Sequence, residues 1–118
     1  MLPQRIKLER RKGFDLQALS HSLNGLPAKP VTRPGRWGNP FVISEVAEQF
    51  GLEPGAAQRK AIEMYGLWVA ARLDPELSPG PPPDRAEIIA DLGGKNLACW
   101  CRIGEPCHAD ILIGLANP

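Results

Sequence analysis

The chain reads as an α/β or α+β domain, a small mixed sheet flanked by helices, and three stretches carry that reading. Arg5-Ile6-Lys7-Leu8-Glu9-Arg10 alternates charged and apolar residues at period two, as a half-buried strand does. From Pro54 to Leu73, the residues Ala61, Met64, Tyr65, Trp68, Val69 and Leu73 form an apolar stripe. Gln58, Arg59, Lys60 and Glu63 lie mostly elsewhere, so the segment is an amphipathic helix. Near the C-terminus a short apolar run, Leu97-Ala98-Cys99-Trp100-Cys101, follows small residues. A turn at Gly104 to Pro106 comes next, and a helix opens at Ala109-Asp110-Ile111-Leu112. Strands and helices interleaved in this way make a small layered domain.

The remaining elements fall between these. Phe14 to Leu23 places Leu16, Leu19 and Leu23 at helical spacing over only a turn or two. Gly25 to Pro30 is a connector, and Val31-Thr32 opens a second strand that Pro34-Gly35 ends. Ser44 caps a short helix through Phe50, closed by Gly51. Ser78-Pro79-Gly80-Pro81-Pro82-Pro83 reads as an exposed, mobile proline spacer within a single domain spanning residues 1–118. Asp84 caps a helix from Arg85 to Leu92, which Gly93-Gly94 terminates.

With 118 residues the chain is long enough for one core without metal or disulfide staples. Thirteen prolines and twelve glycines imply many turns. No stretch nears the roughly 20 apolar residues of a membrane span, and Met1-Leu2-Pro3-Gln4-Arg5 lacks an apolar signal core. The expectation is a cytoplasmic protein with no membrane partner, whose three cysteines are free thiols or metal ligands. Charge is uneven beneath a net of +1. Arg5, Lys7, Arg10, Arg11, Lys12, Lys29, Arg33 and Arg36 face only Glu9 and Asp15 in the first third, and the rest is acidic on balance. A basic end on a near-neutral chain suits a phosphate or nucleic acid, while Arg10-Arg11-Lys12 also reads as a solvated charged segment.

All three cysteines and one of the two histidines fall between Cys99 and His108. Two apart on a strand, Cys99 and Cys101 would share a face, with Trp100 turned into the core. Four readings of the cluster stay open. Cys99, Cys101, Cys107 and His108 supply ligand types suited to tetrahedral zinc, although Cys-x-Cys is a weaker signal than Cys-x-x-Cys. Alternatively, Cys107 at a helix start is a reactive thiol, with His108 or His21 as base and Asp110 as orienter, should the protein be an enzyme. Free amides at the same helix start would also accept a phosphate. Or the cysteines simply fill a core while His108 and Asp110 cap the helix.

A second segment, Arg33-Pro34-Gly35-Arg36-Trp37-Gly38-Asn39-Pro40-Phe41, is too broken by glycine and proline for regular structure. Arginines fork onto phosphate, tryptophan offers a stacking face, and glycines let backbone approach a ligand. Arg33, Arg36, Trp37 and Asn39 are therefore the candidate ligand-binding residues, set against a loop that merely buries Trp37 and Phe41.

Arg5-Ile6-Lys7-Leu8-Glu9-Arg10-Arg11-Lys12-Gly13, Arg36-Trp37-Gly38-Asn39-Pro40-Phe41, Tyr65-Gly66-Leu67-Trp68, Gly94-Lys95-Asn96-Leu97-Ala98-Cys99-Trp100-Cys101 and Pro106-Cys107-His108-Ala109-Asp110 occur in order along the chain. Together they resemble a bacterial and phage family known only as domain of unknown function 4326. The Ser78–Pro83 insert departs from it. The resemblance implies a stand-alone domain and carries no established activity.

Two functions follow as expectations. In the first, the arginine-tryptophan loop and the Cys-His helix start form one pocket for a phosphate-bearing small molecule such as a nucleotide. In the second, zinc on Cys99, Cys101, Cys107 and His108 stabilises a module that binds nucleic acid or a protein.

Overall fold

The structure, a computed structural model, describes residues 2–118. The element order is β1 (Arg5–Lys7), α1 (Leu16–Asn24), β2 (Ala28–Pro30), α2 (Ile43–Phe50), α3 (Pro54–Val69), a 3-10 turn (Pro75–Leu77), α4 (Arg85–Leu92), β3 (Asn96–Cys99) and α5 (His108–Ala116). This is an α/β fold. No described helix is long and apolar enough to cross a membrane. The chain forms two compact units, one from the segments up to Gly38 and from Arg85 to Pro118, the other from Asn39–Asp84.

The first unit holds the sheet, in the order β1-β3-β2, with both pairings parallel. It is thus parallel throughout rather than mixed. Helices intervene between successive strands, and such crossovers return the chain in the same direction. β3 lies in the centre and all four of its residues are buried, as expected of a parallel strand covered on both faces. Ile6, Ala98 and Ala28 form a cluster on one face, against which Leu8, Leu16 and Leu19 pack. That face belongs to α1. The opposite face, carrying Leu97 and Cys99, receives α5.

Local chemistry accounts for most element ends. Asp15 accepts from the Ala18 N–H at 3.0 Å to start α1, and Gly25 ends it at φ +78, a conformation costly for any residue with a Cβ. The second strand begins at Ala28, ahead of Val31. Pro30 is tolerated because β2 is an edge strand. The Leu8 and Val31 N–H groups extend the pairing by donating to the Cys99 and Ala98 carbonyls at 2.8 and 2.9 Å. At its other end β3 is anchored by Asn96. That side chain donates to Ser20 Oγ and Asn24 Oδ1, and accepts from Asn24 Nδ2 and the Gln4 N–H, all at 2.7–2.8 Å.

The second unit packs α2 on α3. Phe41, Val46, Ala57, Ala61, Met64 and Tyr65 are buried, so the predicted stripe is the buried face of α3. Trp68 meets Phe41 and Tyr65 edge-on at 6.1 and 5.8 Å. Burial pushes the Tyr65 phenol pKa upward. The helix stops at Val69, and Ala71 adopts φ +58 before Leu73 is reached. Ser44 is not the cap of α2, because Val42 takes the N-cap position without a side-chain bond. The proline segment lies inside this unit and folds back on it. Trp68 Nε1 donates to the Gly80 carbonyl at 2.9 Å, as does Ser78 Oγ at 2.7 Å.

Asn96→Ala strands buried partners on Ser20, Asn24 and the Gln4 amide. It should lower unfolding free energy by about 2–4 kcal/mol in urea denaturation, and Ser20→Ala by about 1 kcal/mol.

Candidate functional site

β1 and β3 are neighbours, yet the chain leaves them toward opposite faces, to α1 from one and to α5 from the other. Their following loops, 8–15 and 100–107, therefore diverge at the carboxyl edge of the sheet. Open α/β sheets bind ligands at such a switch point. The cysteine cluster stands there. β3 delivers Cys99, a turn containing Gly104 at φ +93 reverses the chain, and Cys107 occupies the N-cap position of α5.

The Sγ atoms of Cys99, Cys101 and Cys107 all lie within 4.8 Å of one another, so the trio can hold a metal ion. Cys107 and Cys99 are in direct contact, Sγ to Sγ at 3.2 Å. Both are buried and Cys101 is half-buried. Cys101 lies beyond the strand rather than on it, and Trp100 is 46% exposed rather than in the core. Hydrogen bonds from Cys101 and Cys99 pull the Cys107 thiol pKa far down against the cost of burial, helped by the Ala109 N–H. A bond with Cys101, then one with Cys107, pushes the Cys99 thiol up, and the bond with Cys107 pushes Cys101 up.

His108 is buried, and its Nε2–H is shared between the carbonyls of Val31 and Trp37 at 2.9 and 3.0 Å. A donating Nε2 leaves Nδ1 as the acceptor nitrogen of the neutral ring, and Nδ1 faces Cys107 Sγ at 3.8 Å. His108 stands outside the three-thiol group itself, beside one of its members. Asp110 does not orient the imidazole, because backbone carbonyls hold the ring. Its carboxylate pairs instead with Arg5 at 3.2 Å.

Arg5 is a residue that sequence reasoning missed. Its side chain is only 8% exposed and donates to Asp110 and, at 2.9 Å, to the Arg102 carbonyl. Burial alone would lower its pKa, but Asp110 and the sulfurs of Cys107 and Cys99 outweigh it and raise the value. Alternation assigns Arg5 to the solvent side of β1. The register Arg5↔Leu97 and Lys7↔Cys99 sets it on the α5 face, with the cysteines.

The arginine-tryptophan loop serves mainly as architecture. Trp37 is buried, and its Nε1–H donates to Asp91, which also accepts from Lys29 at 3.1 Å. Arg36 lies over the Trp37 ring at 4.9 Å and pairs with Glu87. A Cβ on Gly38 would stand 2.6 Å from the Arg33 backbone nitrogen, so only glycine fits there. Arg33 is exposed. The Asn39 side chain, in the second unit, accepts from the Phe41 N–H at 2.9 Å and donates to the Ala61 carbonyl. Sequence composition could not separate these structural uses from ligand contacts.

Two predictions follow from this geometry. Arg5→Met should cost about 2 kcal/mol or more in denaturant unfolding, because it leaves the buried sulfurs, the Asp110 carboxylate and the Arg102 carbonyl without their donor. Asp110→Asn, at the 55% exposed end of the same pair, should cost under about 1 kcal/mol. Equal losses would show that the ion pair, not the thiol cluster, is what Arg5 serves. Bonds from Trp37 and Lys29 hold the Asp91 carboxyl below its usual pKa. That stabilisation is complete above the unfolded value of about 3.9 and is lost as pH falls through the lower, folded one. Asp91→Asn should flatten the acid limb of a pH-unfolding curve followed by tryptophan fluorescence.

No curated protein and no solved structure matches the chain. A family model described as Domain of unknown function (DUF4326) matches residues 21–118, which takes in the arginine-tryptophan loop, the thiol cluster and α5 but not β1 with Arg5. The chain belongs to the DUF4326 family.

Proposed function

We propose that Cys99, Cys101 and Cys107 hold a zinc ion, and that the domain is a zinc-stabilised module binding an anionic partner, nucleic acid above all, at the carboxyl edge of its sheet. The observation that carries the reading is the convergence of three thiol sulfurs within 4.8 Å at the end of a buried strand. Thiolates are soft ligands favoured by zinc, and three of them would leave a negatively charged centre. Arg5 supplies a buried positive charge beside it. His108 is the fourth ligand in this reading. Its Nε2–H is held by backbone carbonyls, the outer-shell arrangement that fixes the tautomer of a metal-ligating histidine.

A second reading keeps the nucleotide or other phosphate-bearing small molecule. The switch point between β1 and β3 favours it, with the α5 amides and Arg10 to Lys12 beside the crevice in place of the engaged Trp37 and Asn39. In that metal-free case Cys107 would be the nucleophile and His108 the base, with backbone carbonyls rather than Asp110 orienting the ring.

Elemental mass spectrometry on untagged protein, purified without added zinc, separates the two. The expected result is about one zinc per chain, lost in Cys99→Ser, Cys101→Ser and Cys107→Ser, with a fall in melting temperature on chelation. A metal-free protein whose three thiols titrate after denaturation, and which a chelator does not destabilise, would overturn the zinc reading. A thermal-shift screen with nucleotides then tests the second.

A further inference from the structure

We infer that the anionic partner is a single-stranded nucleic acid, and that Trp100 is the platform on which one of its bases stacks. The inference rests on the zinc reading, since Trp100 is the residue between two proposed ligands, Cys99 and Cys101. Coordination on both sides would fix the backbone that carries the indole.

Trp100 is 46% exposed at the end of β3, and Ile103 in the same loop is 66% exposed. An indole left in water next to buried cysteines has lost the burial that usually accounts for tryptophan. One cation lies over it. The Arg10 guanidinium lies 4.8 Å from the ring centroid, and Arg11 lies 5.5 Å from that of Phe14. The Leu8 N–H bond to the Cys99 carbonyl fastens this basic loop beside the tryptophan. Arg10, Arg11, Lys12 and Arg102 stand against Glu9, Asp15 and Glu105 in the two loops, of which Glu9 is paired with Arg11 at 3.2 Å and Asp15 caps α1.

A positively charged track with an exposed aromatic face is the physical recipe for single strands, whose bases are free to stack while their phosphates seek cations. Stacked bases of a duplex offer no such face. Protein partners fit less well, because the patch combines excess positive charge with a π surface rather than a broad apolar area.

The test uses protein of known zinc content and a fluorescein-labelled oligothymidylate of twelve residues, read by anisotropy at several salt concentrations. Binding should weaken steeply with salt, and a duplex of the same length and thymidine monophosphate should bind much more weakly. Trp100→Ala should weaken binding on the order of tenfold or more, while Trp100→Phe keeps most of it and both retain zinc. Arg10→Ala should weaken binding and reduce the salt dependence. Zinc-loaded protein that ignores the oligonucleotide, binds duplex equally well, or is indifferent to Trp100→Ala would overturn the inference and leave the zinc reading standing. Tight binding of the monophosphate alone would overturn it in favour of a small-molecule site. Absence of zinc, by contrast, would remove the zinc reading on which the inference depends.

Discussion

Everything at the candidate site follows from the pairing of β3 with a neighbour on each edge. A central parallel strand exposes no backbone group to water, so both faces need cover, and α1 and α5 supply it. The strand is only four residues long, and its two ends carry opposite duties. Asn96 ties the amino end to α1 through a closed set of hydrogen bonds. Cys99 marks the carboxyl end, where pairing stops and the chain must turn. Because adjacent strands send their chains to opposite faces, that end is also where the backbone opens.

Charge at the opening is organised by burial. Three thiols share space with one guanidinium, and the proton distribution among them follows from which sulfur receives hydrogen bonds. Cys107 receives most, from its two neighbours and from the first turn of α5, so its thiol is drawn below the ordinary value. Arg5 answers it from β1. His108 is fixed by the loop after β2, so its ring has one nitrogen committed and one facing sulfur. β3 and β2 thus contribute through the loops at their carboxyl ends, and β1 through Arg5, its first residue.

The loop after β2 shows how residue types suited to ligand binding can be spent on construction. Trp37 is a core residue whose indole N–H needs an acceptor, and the half-exposed Asp91 carboxylate provides one. Gly38 is there because the chain passes against Arg33, not because a phosphate approaches. Arg36 covers the same indole from outside. In each case the chemistry inferred from composition is present, but its partner belongs to the chain.

The α/β class, the amphipathic face of α3, the bounds of α4 and the convergence of chemistry between Cys99 and His108 were legible in the residues. Each rests on short-range periodicity, caps and spacing, which neighbours in sequence determine. Strand direction, the service of Arg5 to the cysteines, the outward turn of Trp100 and the backbone grip on His108 were not. These depend on pairings between residues 68 or more apart, such as Ala28 with Asn96 and Arg5 with Leu97, or on carbonyls that every residue carries alike. A local pattern says which face of a strand is apolar. Only the register of the folded sheet decides which charged side chain shares that strand's face with the thiols.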